Sequence, residues 1–323
     1  MPLSLNLNRR HFLQTSAAAA GLVFDTLPLK AQMEAGGPAK VKPFDGELPK
    51  GRIGKLEATR LFCGGNLFSG FGHAGELHYV DEVLRHYFTD DKILDTLQLC
   101  EQGGINTAIL RCDAQIVRVI NRYRKERGGK IQWIAQTYPK PDNLKENIQI
   151  AIDNGAVAAF CMGGHAQDVF VTPGKAELIG EVVAFIKQNG LEAGVGSHTL
   201  ELPIISEQQK FNPDFYFKTF NSVGYATDSS HPDEDVKASN DGKVYSSDTT
   251  RDIAAFMKGI KKPWIAFKVL GAGRVQPKEG FDLAFKSGAD FINVGMYDFQ
   301  VQQNIAMIPE IVKRHEQRDR PWA

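Results

Sequence analysis

Basic and imidazole side chains stand at the ends of short apolar segments in the middle and second half of the chain. The most prominent are His198, Lys218 and Lys268. An amine in an apolar environment loses its proton more easily, and the neutral amine can attack a carbonyl carbon. An imidazole in the same place could move protons near neutral pH. These residue types predict carbonyl chemistry, in which Lys218 either activates the carbonyl group or binds an anion.

Arg111 and Asp113 follow an earlier apolar segment and set the expected charge of the site. If Arg111, Lys218 and Lys268 share one site, Asp113 is the acid that faces them. Such a surplus of positive charge indicates an anionic ligand or an anionic intermediate such as an enolate. The alternative is that both lysines pair with carboxylates in neighbouring loops. The predicted catalytic residues are His198, Lys218, Asp113 and Lys268, and the predicted substrate ligands include Arg111, Gln136 and Asn221.

Glycines mark two segments near the end of the chain. Gly271 and Gly273 flank Ala272, and Gly295 follows Asn293-Val294. Glycine lets backbone N–H groups approach an anion closely. The pattern resembles barrels that bind phosphate at the loops after their last two strands. It predicts that Gly271, Gly273 and Gly295 bind phosphate, a carboxylate or sugar hydroxyls, the alternative being that they only make tight turns.

Histidine and glutamate residues could supply a divalent metal site, because imidazole and carboxylate suit zinc or manganese. The candidate ligands are His73, His165, His198 and Glu201. His73 also begins an H-x-x-E-x-H pattern with Glu76 and His78, which is not a known ligand spacing. Schiff-base and metal mechanisms therefore both stay open, and the cofactor stays unassigned.

The elements that must position these residues repeat a strand followed by a helix. Glycines at the ends of helical segments lead at once into apolar segments, as a left-handed cap would require. The predicted strands are residues 59–64, 107–112, 131–137, 157–162, 192–197, 215–220, 264–270 and 291–295. Eight such units predict an α/β fold, a (β/α)8 TIM barrel, with the active site at the carboxyl ends of the strands. A doubly wound sheet is the alternative.

Strand alternation gives an expectation for each side chain. In the sixth strand we do not expect a lysine to face the helices, so Lys218 should point into the barrel while Phe215 and Phe217 face the helices. The same reasoning points Lys268 inward on the seventh strand and His198 inward at the mouth.

The N-terminal segment is typical of an export signal. Arg9 and Arg10 precede Phe12-Leu13 and an alanine-rich stretch, which resembles a twin-arginine (Tat) signal. We predict a signal peptide at 1–31, a linker at 32–50 and a barrel domain at 51–323. The expected partner is the Tat export machinery, and the expected location is periplasmic or secreted. Residues 222–249 are predicted to form a lid.

Composition excludes several classes of function. The 323 residues contain 38 basic and 38 acidic side chains, whereas nucleic-acid-binding proteins usually carry a basic excess. No apolar segment in the body approaches the roughly 20 residues of a membrane helix. We therefore expect no nucleic-acid partner and no stable membrane anchor. The four cysteines form no C-x-x-C pair, and we expect buried free thiols.

Residues 61–72 and 93–107 resemble the start of an aldo-keto reductase. The resemblance implies that Asp113 and His165 correspond to the aspartate and histidine of that family, and that NADP is the cofactor. The chain departs from the family pattern, since Gln136 stands where a lysine is expected and the tyrosine is missing. This departure makes NADP the less favoured cofactor. The whole chain also resembles exported bacterial barrels of unassigned activity.

Three functions follow from these patterns. The first is an exported lyase, aldolase or isomerase that acts on a small sugar-derived or carboxylated substrate. The second is an oxidoreductase similar to the aldo-keto reductases. The third is a periplasmic protein that binds such an anionic or sugar-like small molecule without turnover.

Overall fold

The computed structural model describes residues 44–74, 77, 79–223 and 249–323. The predicted signal peptide, most of the predicted linker and residues 224–248 of the predicted lid lie outside the described residues. Residues 44–50, at the end of the predicted linker, pack against the barrel, with Leu48 buried and Lys50 opening a strand. None of the helices in the described part is long and apolar enough to cross a membrane.

Eight parallel strands close into a barrel with helices between them, which confirms the predicted TIM-barrel fold. An antiparallel hairpin of two further strands precedes the barrel. The strands are Lys50–Ile53 (β1), Leu56–Thr59 (β2), Leu61–Gly64 (β3), Thr107–Arg111 (β4), Gln132–Thr137 (β5), Ala158–Cys161 (β6), Glu192–Ser197 (β7), Phe215–Thr219 (β8), Trp264–Phe267 (β9) and Phe291–Gly295 (β10). Around the barrel, β10 lies between β9 and β3, so the first and last barrel strands in the sequence are neighbours.

The helices lie in the connections between strands. Their bounds are Tyr79–Tyr87 (α1), Asp90–Gln102 (α2), Ala114–Arg127 (α3), Glu146–Asp153 (α4), Gly163–Ala166 (α5), Glu177–Gln188 (α6), Glu201–Gln208 (α7), Thr250–Lys258 (α8), Pro277–Lys286 (α9) and Asp298–Arg314 (α10). The side chain of Thr89 accepts a hydrogen bond from the N–H of Lys92 and so caps α2. Asp113 caps α3 in the same way, through the N–H of Ile116.

The apolar core has two layers. The outer layer packs between strands and helices, and it contains the four cysteines, all buried and free as expected. The inner layer fills the barrel and is rich in phenylalanine, including Phe62, Phe160, Phe215, Phe217, Phe267 and Phe291. Here phenylalanine rings fill the interior, which in an eight-stranded barrel is just wide enough for side chains to fill.

The inner layer shows that the orientation predicted for β8 was wrong. Phe215 and Phe217 point into the barrel, while Tyr216 packs in the outer layer. Lys218 therefore points away from the barrel axis, and its Nζ donates to the carbonyl oxygens of His198 and Thr219 at 2.9 and 3.1 Å. The error arose because a buried lysine was assumed to have no place on the helix side. Main-chain carbonyls satisfy it there.

The hairpin of β1 and β2 closes the amino-terminal end of the barrel. Ile53, Leu56 and Ala58 pack against the phenylalanine-rich inner layer. A cluster of arginines around Asp290 lies at the same end. Arg318 and Arg320 both donate to the carboxylate of Asp290, and Arg60 donates to its carbonyl oxygen.

Candidate active site

A cavity of about 330 Å³ opens at the carboxyl ends of the barrel strands. Each barrel strand contributes to its wall, either with its last residues or with the loop that follows. Most of the wall is apolar. The polar and ionisable residues on it are Asn66, His73, Arg111, Gln136, Tyr138, His198, Lys268, Asn293, Tyr297 and Gln300. Within the described part of the chain, no aspartate or glutamate lines this cavity.

Lys268 reaches the cavity through an unusual backbone conformation rather than through strand alternation. The orientation predicted for β9 was wrong, since Ile265 and Phe267 fill the barrel interior. Lys268 follows directly and has a φ of 59°, a left-handed conformation that a lysine rarely adopts. This turn directs Lys268 to the cavity wall. Part of the residue is exposed, but its Nζ is buried, and burial lowers the pKa of the amine to about 7.

His198 lies on the cavity wall at the end of β7, as expected from strand alternation. Its Nδ1 is 2.8 Å from the hydroxyl oxygen of Thr219, and its ring packs against that of Phe267. Burial lowers the pKa of His198 well below its ordinary value, and the positive charges of Lys268, Lys218 and His73 lower it further. The imidazole is therefore neutral at neutral pH.

Arg111 brings a guanidinium group to the wall from the end of β4. Its Nε donates to the carboxylate of Asp113 at 3.1 Å. The rings of Phe71 and Tyr138 lie 4.5 and 4.8 Å from its central carbon, within the range of cation–π contacts. Asp113 itself does not line the cavity, so the structure places it behind Arg111 rather than beside a ligand.

Backbone strain concentrates at this cavity. Five described residues other than glycine have a left-handed φ, and His73, Lys268 and Ala272 among them line the cavity. Such conformations cost on the order of 1–3 kcal/mol each and persist where the surrounding structure holds them, often at functional sites. His73 is held in part by Asn66, whose Nδ2 lies 3.1 Å from its Nε2.

Several polar residues of the wall were not expected from the sequence. Tyr138 follows β5, and its hydroxyl accepts a hydrogen bond from Gln136 at 3.2 Å. Burial raises the pKa of Tyr138 to about 12, so the phenol keeps its proton at neutral pH. Asn293, inside β10, has a buried Oδ1 with no hydrogen-bond partner in the described structure. Its sequence signal is a polar residue between two apolar ones, Ile292 and Val294, in a predicted strand.

The structure brings together part of the predicted substrate-binding set. Arg111, Gln136, Gly273 and Gly295 line the cavity. Asn221 does not, and its Oδ1 accepts from the N–H of Val223 instead. Gly271 is also absent from the wall, and its N–H donates to the carbonyl oxygen of Lys268 in the turn after β9.

The predicted metal ligands are not assembled. His73 and His198 line the cavity, but His165 lies away from the wall, with its Nε2 2.6 Å from the carbonyl oxygen of Pro139. Glu201 is exposed and accepts a hydrogen bond from Gln167. Across residues 44–74, 79–223 and 249–323, no three histidine, cysteine, aspartate or glutamate side chains are grouped so that they could hold a metal ion.

No protein-family model and no curated protein matches the chain. Solved structures share its fold. A "putative aldo-keto reductase" from Pseudomonas aeruginosa is 14% identical, with a TM-score of 0.58 over 84% of this chain and 98% of that chain. The apo form of Gox0644 is 9% identical, with a TM-score of 0.55 over 85% and 95% of the two chains. A Gox0644 variant in complex with NADPH is 9% identical, with a TM-score of 0.52 over 81% and 90%. At these identities the likeness shows the barrel fold.

Proposed function

We propose that this chain is an enzyme of the lyase or isomerase class that acts on a small anionic carbonyl compound through the amine of Lys268. The observation that carries the proposal is the placement of Lys268. Its Nζ is buried on the wall of a mostly apolar cavity, on a strained backbone, at the mouth of a barrel. A buried amine is the group that attacks carbonyl carbon in imine-forming enzymes. Lys268 thus takes the role expected of Lys218.

The chemistry follows from the residues on the wall. The neutral amine of Lys268 attacks the carbonyl carbon, and a proton moves from nitrogen to oxygen. A second proton, from a general acid, lets that oxygen leave as water, so that a C=N bond replaces the C=O bond. The resulting cationic imine accepts electrons from the neighbouring carbon when that carbon loses a proton or a C–C bond breaks. The neutral His198 can accept the proton that the neighbouring carbon loses. Tyr138 keeps its proton at neutral pH and can therefore serve as the general acid for the departing oxygen.

Reductive trapping tests this proposal. We expect pyruvate and cyanoborohydride to attach the pyruvate carbons to Lys268, detected by mass spectrometry of the peptide. Lys268→Arg keeps a long basic side chain but cannot form the imine, and should remove the label. Lys278→Arg, on the exposed surface, is the matched control and should leave the labelling of Lys268 unchanged. Label on other lysines only, with Lys268 unmodified in folded protein, would contradict the proposal.

A reductase is the second candidate, favoured by the protonated Tyr138 hydroxyl on the cavity wall, which could donate a proton to a carbonyl oxygen. Likeness in fold to a Gox0644 variant in complex with NADPH gives it some support. A fluorescence titration with NADPH separates the two candidates, since only the reductase requires saturable binding. If the protein neither traps a carbonyl compound nor binds NADPH, the ligand-binding protein without turnover becomes the favoured function.

We also propose that residues 1–31 direct export through the Tat machinery, on the basis of Arg9 and Arg10 in the sequence. Replacement of both arginines by lysine should leave the precursor in the cytoplasm. Undiminished export of that variant would contradict the proposal.

A further inference from the structure

We propose that Arg111 binds the anionic group of the substrate, and that this group is a carboxylate held edge-on in the plane of the guanidinium. The inference deepens the proposed function, because it assigns the anion of the carbonyl compound to a residue and a chemical class. It rests on the arrangement around Arg111, which leaves one edge of this side chain for a ligand.

The Nε edge of the guanidinium is occupied. Nε donates to Oδ2 of Asp113 at 3.1 Å, and the Arg111 side chain is only 13% exposed. Neither Nη atom forms a hydrogen bond with any residue in the described part of the chain. Arg111 nevertheless lines the cavity. The two Nη atoms are therefore the donors that it can offer to a ligand, and they form a fork that matches two carboxylate oxygens.

Two aromatic rings lie against the guanidinium, within cation–π distance of its central carbon. Phe71 comes from the loop after β3 and Tyr138 from the loop after β5, the two strands that neighbour β4. A ligand that binds the Nη edge must therefore fit beside both rings. A flat carboxylate matches the planar fork with both of its oxygens, whereas a tetrahedral phosphate carries a third oxygen out of that plane.

The charge of Asp113 is directed away from the cavity. Its other oxygen, Oδ1, accepts from the N–H of Ile116 at 2.9 Å, at the N-terminus of the 14-residue helix α3. The partial positive charge of a helix N-terminus offsets a carboxylate there. Asp113 is thus a positioning residue. It orients Arg111 without lining the cavity, and no other described acid faces the Nη edge from the cavity wall.

Three small ligands that share an isopropyl group and differ in the polar group attached to it test the inference without carbonyl chemistry. These are isobutyrate, isobutyramide and isopropylphosphonate, and their Kd values can be measured by NMR titration. We expect the wild-type protein to bind isobutyrate most tightly. Arg111→Lys keeps the charge and Arg111→Met removes it, yet both lose the fork. Both should raise the Kd for isobutyrate about 10- to 100-fold, as expected for a charged hydrogen-bonded pair.

Matched variants separate binding from a structural effect. Arg118→Met removes an exposed arginine that pairs with Asp90, and should leave the Kd unchanged. Asp113→Asn retains a good helix cap, and should weaken isobutyrate binding while leaving isobutyramide unaffected. If Arg111→Met fails to fold, as judged by its melting temperature, Arg111→Lys decides the outcome.

Three results would overturn the inference. They are equal affinity for isobutyrate and isobutyramide, a preference for isopropylphosphonate, and an unchanged isobutyrate Kd in Arg111→Lys. The first would mean that no anion is recognised, the second that the anion is tetrahedral, and the third that the fork is not used. Lys268→Met should still bind isobutyrate, so a failure of trapping on Lys268 would count against the proposed function alone.

Discussion

Lys268 illustrates how one backbone angle decides the surroundings of a side chain. Its neighbours Phe267 and Val269 pack in the inner and outer layers of the core, respectively. The left-handed φ at Lys268 breaks the alternation between them and places the amine on the cavity wall. The sequence correctly predicts that Lys268 reaches the site, but the predicted cause, strand alternation, was wrong. Residue types alone do not reveal a positive φ at a lysine.

The amine of Lys268 should set the pH dependence of trapping. Burial lowers its pKa to about 7, so it is a cation below that pH and neutral above it. Only the neutral form attacks carbonyl carbon. We therefore expect the rate of pyruvate trapping to rise about tenfold per pH unit up to about pH 7 and then to level off. His198 should add no second step near pH 7, because its pKa lies well below its ordinary value.

Rates of trapping measured by mass spectrometry from pH 5 to 9 would check this expectation. A rate that keeps rising towards pH 10 would mean that Lys268 titrates like an exposed lysine and that burial does not lower its pKa.

At the scale of elements, the junction between β6 and α5 forms the wall beside His198. Gly163 packs against the backbone of the end of β7, where an added Cβ would lie 3.0 Å from the Cα and N of Ser197. At Gly164 the nearest atoms would be the sulfur of Met162 at 3.5 Å and the His198 ring at 3.6 Å. A side chain at Gly163 would therefore collide with the backbone of β7, whereas a side chain at Gly164 would only occupy space beside the His198 ring.

Alanine at the two positions should separate stability from cavity size. Gly163→Ala forces a backbone shift and should cost about 1–3 kcal/mol of unfolding free energy in urea. Gly164→Ala makes ordinary contacts and should leave stability nearly unchanged, while it narrows the cavity beside His198 and slows pyruvate trapping. Equal losses of stability in the two variants would contradict this assignment.

The barrel could be predicted from the sequence because each unit carries local signals. Apolar segments, glycine caps and N-caps such as Thr89 act within a few residues of one another. All eight strands fall where expected, and β7 and β10 have the expected bounds. The hairpin was missed because β1 and β2 are four residues each, although Gly54-Lys55 between Ile53 and Leu56 is a typical two-residue turn. The orientation of Lys218 follows from whether the rings of Phe215 and Phe217 pack inside the barrel or against the helices, and no local sequence signal reveals this.

At the scale of the molecule, the amino-terminal end of the barrel is held by buried charge. The fully buried carboxylate of Asp290 accepts from Arg318 and Arg320 and from the N–H groups of Trp264 and Ala323. The ring of Trp322 covers the guanidinium of Arg318 at 3.4 Å. This cluster connects the segment after the last helix to the closed end of the barrel, opposite the cavity.

Removal of the charge of Asp290 should destabilise the whole barrel. Asp290→Asn leaves buried arginines without their anion, and should cost about 3–5 kcal/mol of unfolding free energy. Asp319→Asn breaks an exposed pair with Lys258 and should have no measurable effect. Urea denaturation of both variants checks this. The assignment fails if the two variants unfold at the same urea concentration.

The pairing of β10 with β3 has a kinetic consequence. It joins the first and last barrel strands in the sequence, so its formation closes the longest loop and should come late in folding. Both strands also contribute to the cavity, through Gly64 on one side and Asn293 and Gly295 on the other. A ligand that contacts both strands would stabilise the pairing of β10 with β3, which closes the barrel. We expect such a ligand to slow unfolding and leave refolding unchanged, which makes the rate of unfolding a means of finding it.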